Sequence, residues 1–87
     1  MDTRIAIIGI IVEDLEVSVQ INNILHQYAQ YIIGRMGLPY RSRAVSIISV
    51  FVEAPQNIIN ALSGKLGMLP YVSTKTIYSK QTSVSEE

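Results

Sequence analysis

The segment Ile5–Val12 reads I-A-I-I-G-I-I-V, and the segment Val45–Val52 reads V-S-I-I-S-V-F-V. Isoleucine and valine favour β-strands. Successive side chains of a strand point to opposite faces of its sheet, so a strand with one solvent-exposed face alternates apolar and polar residues. These two segments barely alternate. They therefore predict two strands that are apolar on both faces.

The residues between and after these strands predict two amphipathic helices. In the first helix, over about Leu15–Tyr28, apolar residues recur with helical spacing. A second helix follows Pro55, which suits a first turn, and Gly67 is its expected cap. The apolar stripe of the first helix is Val17, Ile21, Ile24, Leu25 and Tyr28, and that of the second is Ile58, Ile59, Leu62 and Leu66.

Two further strands carry polar residues and are expected at the edges of the sheet. Strand two, about Tyr31–Leu38, contains Arg35 and two glycines, and strand four, Val72–Tyr78, alternates. Strands one and three, Arg4–Val12 and Ala44–Glu53, complete the order β-α-β-β-α-β. Right-handed crossovers then predict a ferredoxin-like α+β fold with antiparallel sheet order 4-1-3-2 and both helices on one face. The two apolar strands become the central pair of that sheet.

Length and composition restrict the domain organisation and the function classes. We expect one domain over residues 1–79 and a disordered Ser/Thr/Glu-rich tail over residues 80–87. The formal net charge of zero gives no electrostatic support for binding nucleic acid. There is no cysteine, and no apolar run approaches the ~20 residues of a membrane span. These features predict a cytoplasmic protein.

The helix-free face of the predicted sheet needs a cover. Two helices suffice for one face, and the apolar side chains on the other predict a homo-oligomer, a dimer or a tetramer. The residues expected at this interface are Ala6, Ile8, Ile10, Ser46, Ile48 and Val50.

Few residues suggest chemistry. His26 is the single histidine, and a transition metal usually needs three or four ligands, so neither a metal nor a cofactor is predicted. A metal site shared across an interface through His26 stays open as an alternative. No nucleophile–base pair or Gly-rich loop stands out, which indicates a protein that is not an enzyme. Arg35 and Tyr40 are better candidates: Arg35 could pair across a subunit boundary or receive a small anionic effector.

Several segments together resemble the iron-only hydrogenase system regulator family. They are R-I-A-I-I-G-I-I-V-E-D at 4–14, I-N-N-I-L-H at 21–26, G-R-M-G-L-P-Y at 34–40 and A-L-S-G-K-L-G-M-L-P-Y-V-S at 61–73. The resemblance implies an ACT-like fold, similar to the C-terminal domain of nickel-responsive repressors, and a regulatory role in the hydrogenase system of anaerobic bacteria. Tyr71 and Ala44 stand where the family pattern favours glycine, so turns with positive φ would be strained there.

The resemblance also implies a place for an effector. ACT-type domains often bind ligands after strand one, near an interface, which here corresponds to Val12, Glu13, Asp14 and Leu15, with Arg35 and Tyr40 contributing. We therefore expect a regulatory module that senses a small effector between subunits. The alternatives are a module that pairs with a hydrogenase or maturation protein, and a metal sensor. The repressors use several histidines for nickel, so nickel binding is not expected here.

Overall fold

In a computed structural model that describes residues 2–80, four strands form one antiparallel sheet and two α-helices pack on it. The elements are β1 (Arg4–Val12), α1 (Ser18–Gln27), β2 (Ile32–Tyr40), β3 (Val45–Ala54), α2 (Gln56–Gly67) and β4 (Val72–Tyr78). The predicted order of elements is confirmed, with β1 and β4 at their predicted bounds. Of the predicted tail, residues 81–87 lie outside the described residues.

The sheet has the order β2-β3-β1-β4. Counted from the opposite edge of the sheet, this is the predicted order 4-1-3-2, which is confirmed. β1 pairs with β3 over its whole length, and β4 pairs along the other side of β1. β2 pairs with β3 and has an irregularity between Ile32 and Gly34, where Ile33 is an extra residue. β2 continues through Pro39 to Tyr40, two residues beyond its prediction. An edge strand accommodates a proline because only one of its sides needs hydrogen-bond donors.

The core lies between the helices and one face of the sheet. Its strand residues occupy alternate positions, with side chains that are at most 7% exposed. Val17 contributes from the 3₁₀ turn Leu15–Val17 that precedes α1, Ile21 and Leu25 contribute from α1, and Ile59, Leu62 and Leu66 from α2. The strand side of the core consists of Ala6, Ile8, Ile10, Val12, Ile48, Val50, Val52 and Ala54.

This core overturns the predicted interface. The structure places the predicted interface residues on the helix-covered side of the sheet, where five of the six are almost fully buried within one chain. They are Ala6, Ile8, Ile10, Ile48 and Val50. Ser46, the sixth, lines a groove beneath α1. The period of two separates the faces of a strand correctly, but it does not say which face the helices cover.

Two turns have the strain expected of them. Ala44 has φ of 53° and Tyr71 has φ of 63°, and they are the non-glycine residues with positive φ among those described. Ala44 ends the short 3₁₀ turn Arg41–Arg43 before β3, and Tyr71 precedes β4. The left-handed region places Cβ close to the backbone carbonyl, so glycine would fit both positions with less strain.

Within residues 2–80, neither helix has the length and apolar character needed to cross a bilayer.

Candidate functional site

The sheet face opposite the helices carries a broad apolar surface, which we call the open face. β1 contributes Ile5, Ile7, Gly9 and Ile11, and β3 contributes alternate residues from Val45 to Glu53. Eight of its large apolar side chains remain 38–68% exposed: Ile5, Ile7, Ile11, Met36, Leu38, Tyr40, Ile47 and Ile77. A surface of this kind on a small domain is typical of an interaction site.

Strand register arranges the open face into parallel rows. One row across the sheet joins Leu38, Ile47 and Ile11, and we call it the first ridge. A second ridge joins Phe51, Ile7 and Ile77. Residues directly opposite each other in neighbouring strands share a face, so each ridge is continuous across the strands.

A trough separates these two ridges. Its centre is Gly9, which pairs with Ser49 on one side and Lys75 on the other. A hollow of about 340 Å³ opens here, and a Cβ at Gly9 would meet only the Lys75 carbonyl oxygen at 3.8 Å. Gly9 and Ser49 are small and lie between the two apolar ridges, so the open face has a depression into which another apolar surface can fit.

The six predicted effector residues do not form one site. Val12 is fully buried in the core, and the Asp14 carboxylate accepts a hydrogen bond from the backbone N–H of Glu16 at 3.0 Å. Leu15 is 53% exposed in the turn before α1. Arg35 and Tyr40 lie on opposite faces of β2, because they are five residues apart in a strand with a period of two.

Two of these residues share a hollow at one end of the open face. Glu13 and Tyr40 line it together with Arg43, and its volume is about 340 Å³. Ile11, Val45 and Ile47 form its apolar wall. The hollow thus combines one carboxylate, one guanidinium and one phenol beside the first ridge, and we call it the rim hollow. Arg43 was not among the six predicted effector residues.

Arg35 instead faces α1. Its Nη2 donates a hydrogen bond to Oδ1 of Asn22 at 3.1 Å. The contact spans a groove between α1 and β2, and two hollows that both include Arg35 and Asn22 lie along this groove, with volumes of about 340 Å³ and 280 Å³. We call it the α1–β2 groove. The sequence did not indicate this groove, because Asn22 lies on the solvent-exposed side of the helix, where amides are common.

His26 lines the larger of these hollows. No group of three or more metal-ligating side chains of the His, Cys, Asp or Glu type occurs within residues 2–80. Arg35 lines the same hollow, and its positive charge disfavours a bound metal cation there.

A family model described as "Iron-only hydrogenase system regulator, putative" matches residues 4–76. The chain belongs to this family, the TM1266-like family. The structure of TM1266 from Thermotoga maritima is similar to it, with 38% sequence identity and a TM-score of 0.87. That alignment covers 90% of this chain and 99% of TM1266. A search of curated proteins gave no match.

Membership of the TM1266-like family confirms the resemblance drawn from the sequence segments. The match covers all four strands of the sheet almost completely, and both helices. It assigns the chain a regulatory description within the iron-only hydrogenase system. The open face, the rim hollow and the α1–β2 groove are the surfaces on which such a role can be examined.

Proposed function

We propose that this chain is a non-enzymatic regulatory module of the iron-only hydrogenase system, with the ACT-like domain architecture, that works as a homo-oligomer and senses a small effector at a subunit boundary. The observation that carries the proposal is the open face, with its two apolar ridges and the trough between them. The regulatory role rests on membership of the TM1266-like family, and the proposed mode of action rests on the open face.

A second copy of the chain is the partner that best suits the open face. Two sheets that pack face to face interdigitate their inner side chains at a separation of about 10 Å. A two-fold axis would place a ridge of each subunit in the trough of the other, because such an interface uses the same surface twice. Gly9 and Ser49 make room for a ridge residue such as Ile47 of the second copy.

The size and charge of the open face are also compatible with this partner. Four strands about 4.8 Å apart and roughly 30 Å long give a face of about 580 Å² in projection, and its pleated side chains have a larger accessible area. A standard interface uses about 800 Å² per partner. Within the four strands, the charged residues on the open face are Glu53 near one end and Lys75 on an edge strand, and Glu13 and Arg43 lie at its rim. Lys75 can extend its ammonium to the rim while its stem stays apolar.

The rim hollow is the effector site that this assembly favours. It borders the first ridge through Ile11 and Ile47, so a partner on the open face would pass close to it. Glu13 and Arg43 offer opposite charges to a small ligand, and Tyr40 offers a hydroxyl and an aromatic face. A ligand in this position would contact one subunit and influence how the second docks, which is a simple physical route from binding to regulation.

The assembly is tested by light scattering and sedimentation of the full chain at micromolar concentration. We expect a mass of at least twice the 9.7 kDa of one chain. Ile47→Lys on the first ridge should give monomers, whereas Val19→Lys on the exposed side of α1 should not. A wild-type monomer, or dissociation by both variants alike, would rule the open-face assembly out.

The effector is tested by a thermal-shift screen of amino acids, nucleotides and divalent metals. A bound compound stabilises the folded state in proportion to the logarithm of its concentration over Kd. We expect a hit whose stabilisation disappears in Arg43→Gln and Glu13→Gln. A screen without any hit would favour the alternative of a module that pairs with a hydrogenase or maturation protein. A metal shift that His26→Ala leaves intact would exclude a metal sensor based on His26.

The regulatory role is tested in a host that carries an iron-only hydrogenase. Deleting the gene should change hydrogenase activity, and the wild-type gene should restore it. A copy with Ile47→Lys should fail to restore it if assembly is required, while Val19→Lys should succeed. Unchanged hydrogenase activity after deletion would contradict the role itself.

A further inference from the structure

We propose that the α1–β2 groove is a separate binding site for a small ligand bearing an oxyanion, either a phosphate or a carboxylate. In this site Arg35 supplies the positive charge, and Asn22 and His26 supply hydrogen-bond donors. The site lies within one subunit on the helix side of the sheet, so it does not rest on the proposed assembly through the open face.

The charge of the groove favours an anion. A guanidinium has five N–H donors in a fixed fork, and among residues 2–80 the side-chain hydrogen bond of Arg35 is the one to Asn22. No carboxylate within this part of the chain pairs with Arg35, and no aspartate or glutamate lines either hollow. Most of the donors of this guanidinium therefore remain available. The strongest interaction that they can make is a bidentate contact to an oxyanion.

The orientation of Asn22 adds donors of the same kind. Its Oδ1 accepts the hydrogen bond from Arg35, which leaves its Nδ2 with two N–H groups. His26 lies four residues later, on the same face of α1, and lines the same hollow. A neutral imidazole has one N–H donor. Three side chains thus present donors to one hollow, an arrangement that suits the acceptor oxygens of a phosphate or carboxylate.

The walls of the groove indicate that the ligand has an apolar part as well. Leu25, Ala29 and Ile32 line the larger hollow, whose volume of about 340 Å³ exceeds that of a bare anion. On the other side of the Arg35–Asn22 contact, Gly37 leaves open space where a side chain would stand, with no atom within 4 Å of its Cβ position. A small organic acid or a small phosphorylated compound matches this combination of charge, donors and apolar wall.

The proposal is tested by NMR titration of the full-length ¹⁵N-labelled chain with sodium phosphate and, separately, with sodium butyrate. Sodium chloride at matched ionic strength serves as the reference, because screening alone shifts resonances. We expect saturable shifts at Asn22, His26 and Arg35. Arg35→Gln should weaken binding about tenfold or more, because it removes the charge-assisted hydrogen bonds to the oxyanion.

Arg41→Gln is the matched control, because it removes an equal charge from an exposed position that lines neither the α1–β2 groove nor the rim hollow. It should leave the titration unchanged. Saturation by phosphate alone supports a phosphorylated ligand, and saturation by butyrate alone supports a carboxylate. Shifts that do not saturate, that equal those of chloride, or that persist in Arg35→Gln would overturn the proposal. Arg35 is exposed on an edge strand, so its substitution leaves the core intact.

Discussion

The backbone N–H of Glu13 donates to the carbonyl oxygen of Tyr71 at 2.8 Å. This bond joins the residue that follows β1 to the turn that precedes β4, and Tyr71 is held there with φ of 63°. Glu13 also lines the rim hollow. The strained turn thus helps to fix one wall of the candidate effector site.

Replacing Tyr71 by glycine should stabilise the fold. A left-handed conformation costs a non-glycine residue ~1–2 kcal/mol, and the greater freedom of glycine in the unfolded chain offsets part of this gain. The side chain of Tyr71 is 65% exposed, so little packing is lost. We expect the free energy of unfolding to rise by about 1 kcal/mol, measured by urea denaturation at fixed protein concentration. Tyr71→Ala keeps a Cβ and should give no such gain. Equal effects of both variants would show that φ is not the cause.

The assignment of the two sheet faces can be tested with neighbouring isoleucines. Ile8 is fully buried under the helices, whereas Ile7 is 38% exposed on the open face. Ile8→Ala should lower the free energy of unfolding by ~2–5 kcal/mol through the cavity that it leaves. Ile7→Ala should cost the monomer about 1 kcal/mol and weaken self-association. If Ile8→Ala unfolds the chain, Ile8→Val and Ile7→Val can be compared instead. Ile8→Val should again lose more free energy of unfolding, and both losses should be smaller. The reverse ranking would place the core on the other face.

Filling the trough should separate folding from assembly. A Cβ at Gly9 would meet only a carbonyl oxygen at 3.8 Å, and valine favours a strand more than glycine does. Gly9→Val should therefore leave the monomer as stable as before, or more stable by ~0.5–1 kcal/mol. It should weaken self-association tenfold or more, measured by sedimentation. A tenfold change in the dissociation constant corresponds to ~1.4 kcal/mol. Unchanged association would show that no ridge enters the trough.

Hydrogen bonds at the α2–β4 contact should contribute modestly to stability. Tyr78 donates from its hydroxyl to Oδ1 of Asn60 at 2.6 Å, and Ser63 and Thr76 share a hydrogen bond of 3.1 Å. Tyr78→Phe should lower the free energy of unfolding by ~0.5–1.5 kcal/mol. A double-mutant cycle with Asn60→Ala isolates the pair, and additive effects of the two changes would contradict the coupling.

The period of the apolar residues predicted the elements and their order because burial of apolar surface dominates folding. The period did not predict which face of the sheet the helices cover. In hindsight a signal was present: Gly9, Ser49 and Glu53 interrupt one face, whereas the other face is apolar from Ala6 to Val12 in β1 and from Ile48 to Ala54 in β3. The more continuously apolar face is the one that the helices cover.

The candidate site was less accessible to sequence reasoning than the fold. Arg35 and Tyr40 were grouped because they are close along the chain, but the pleat of β2 sends them to opposite faces. The partners of Arg35 come from α1 and those of Tyr40 from the segments beside β1 and β3, so no local pattern encodes either grouping.

The sequence by itself determined the strands, the helices, the edge positions of β2 and β4, the family and the two turns that favour glycine. These depend on local spacing and on side-chain chemistry, which a chain carries in linear order. Only the tertiary structure decided which sheet face the helices cover and which side chains meet across the grooves. Those outcomes depend on contacts between residues distant in the chain, and a period of two in an apolar strand is the same for either face.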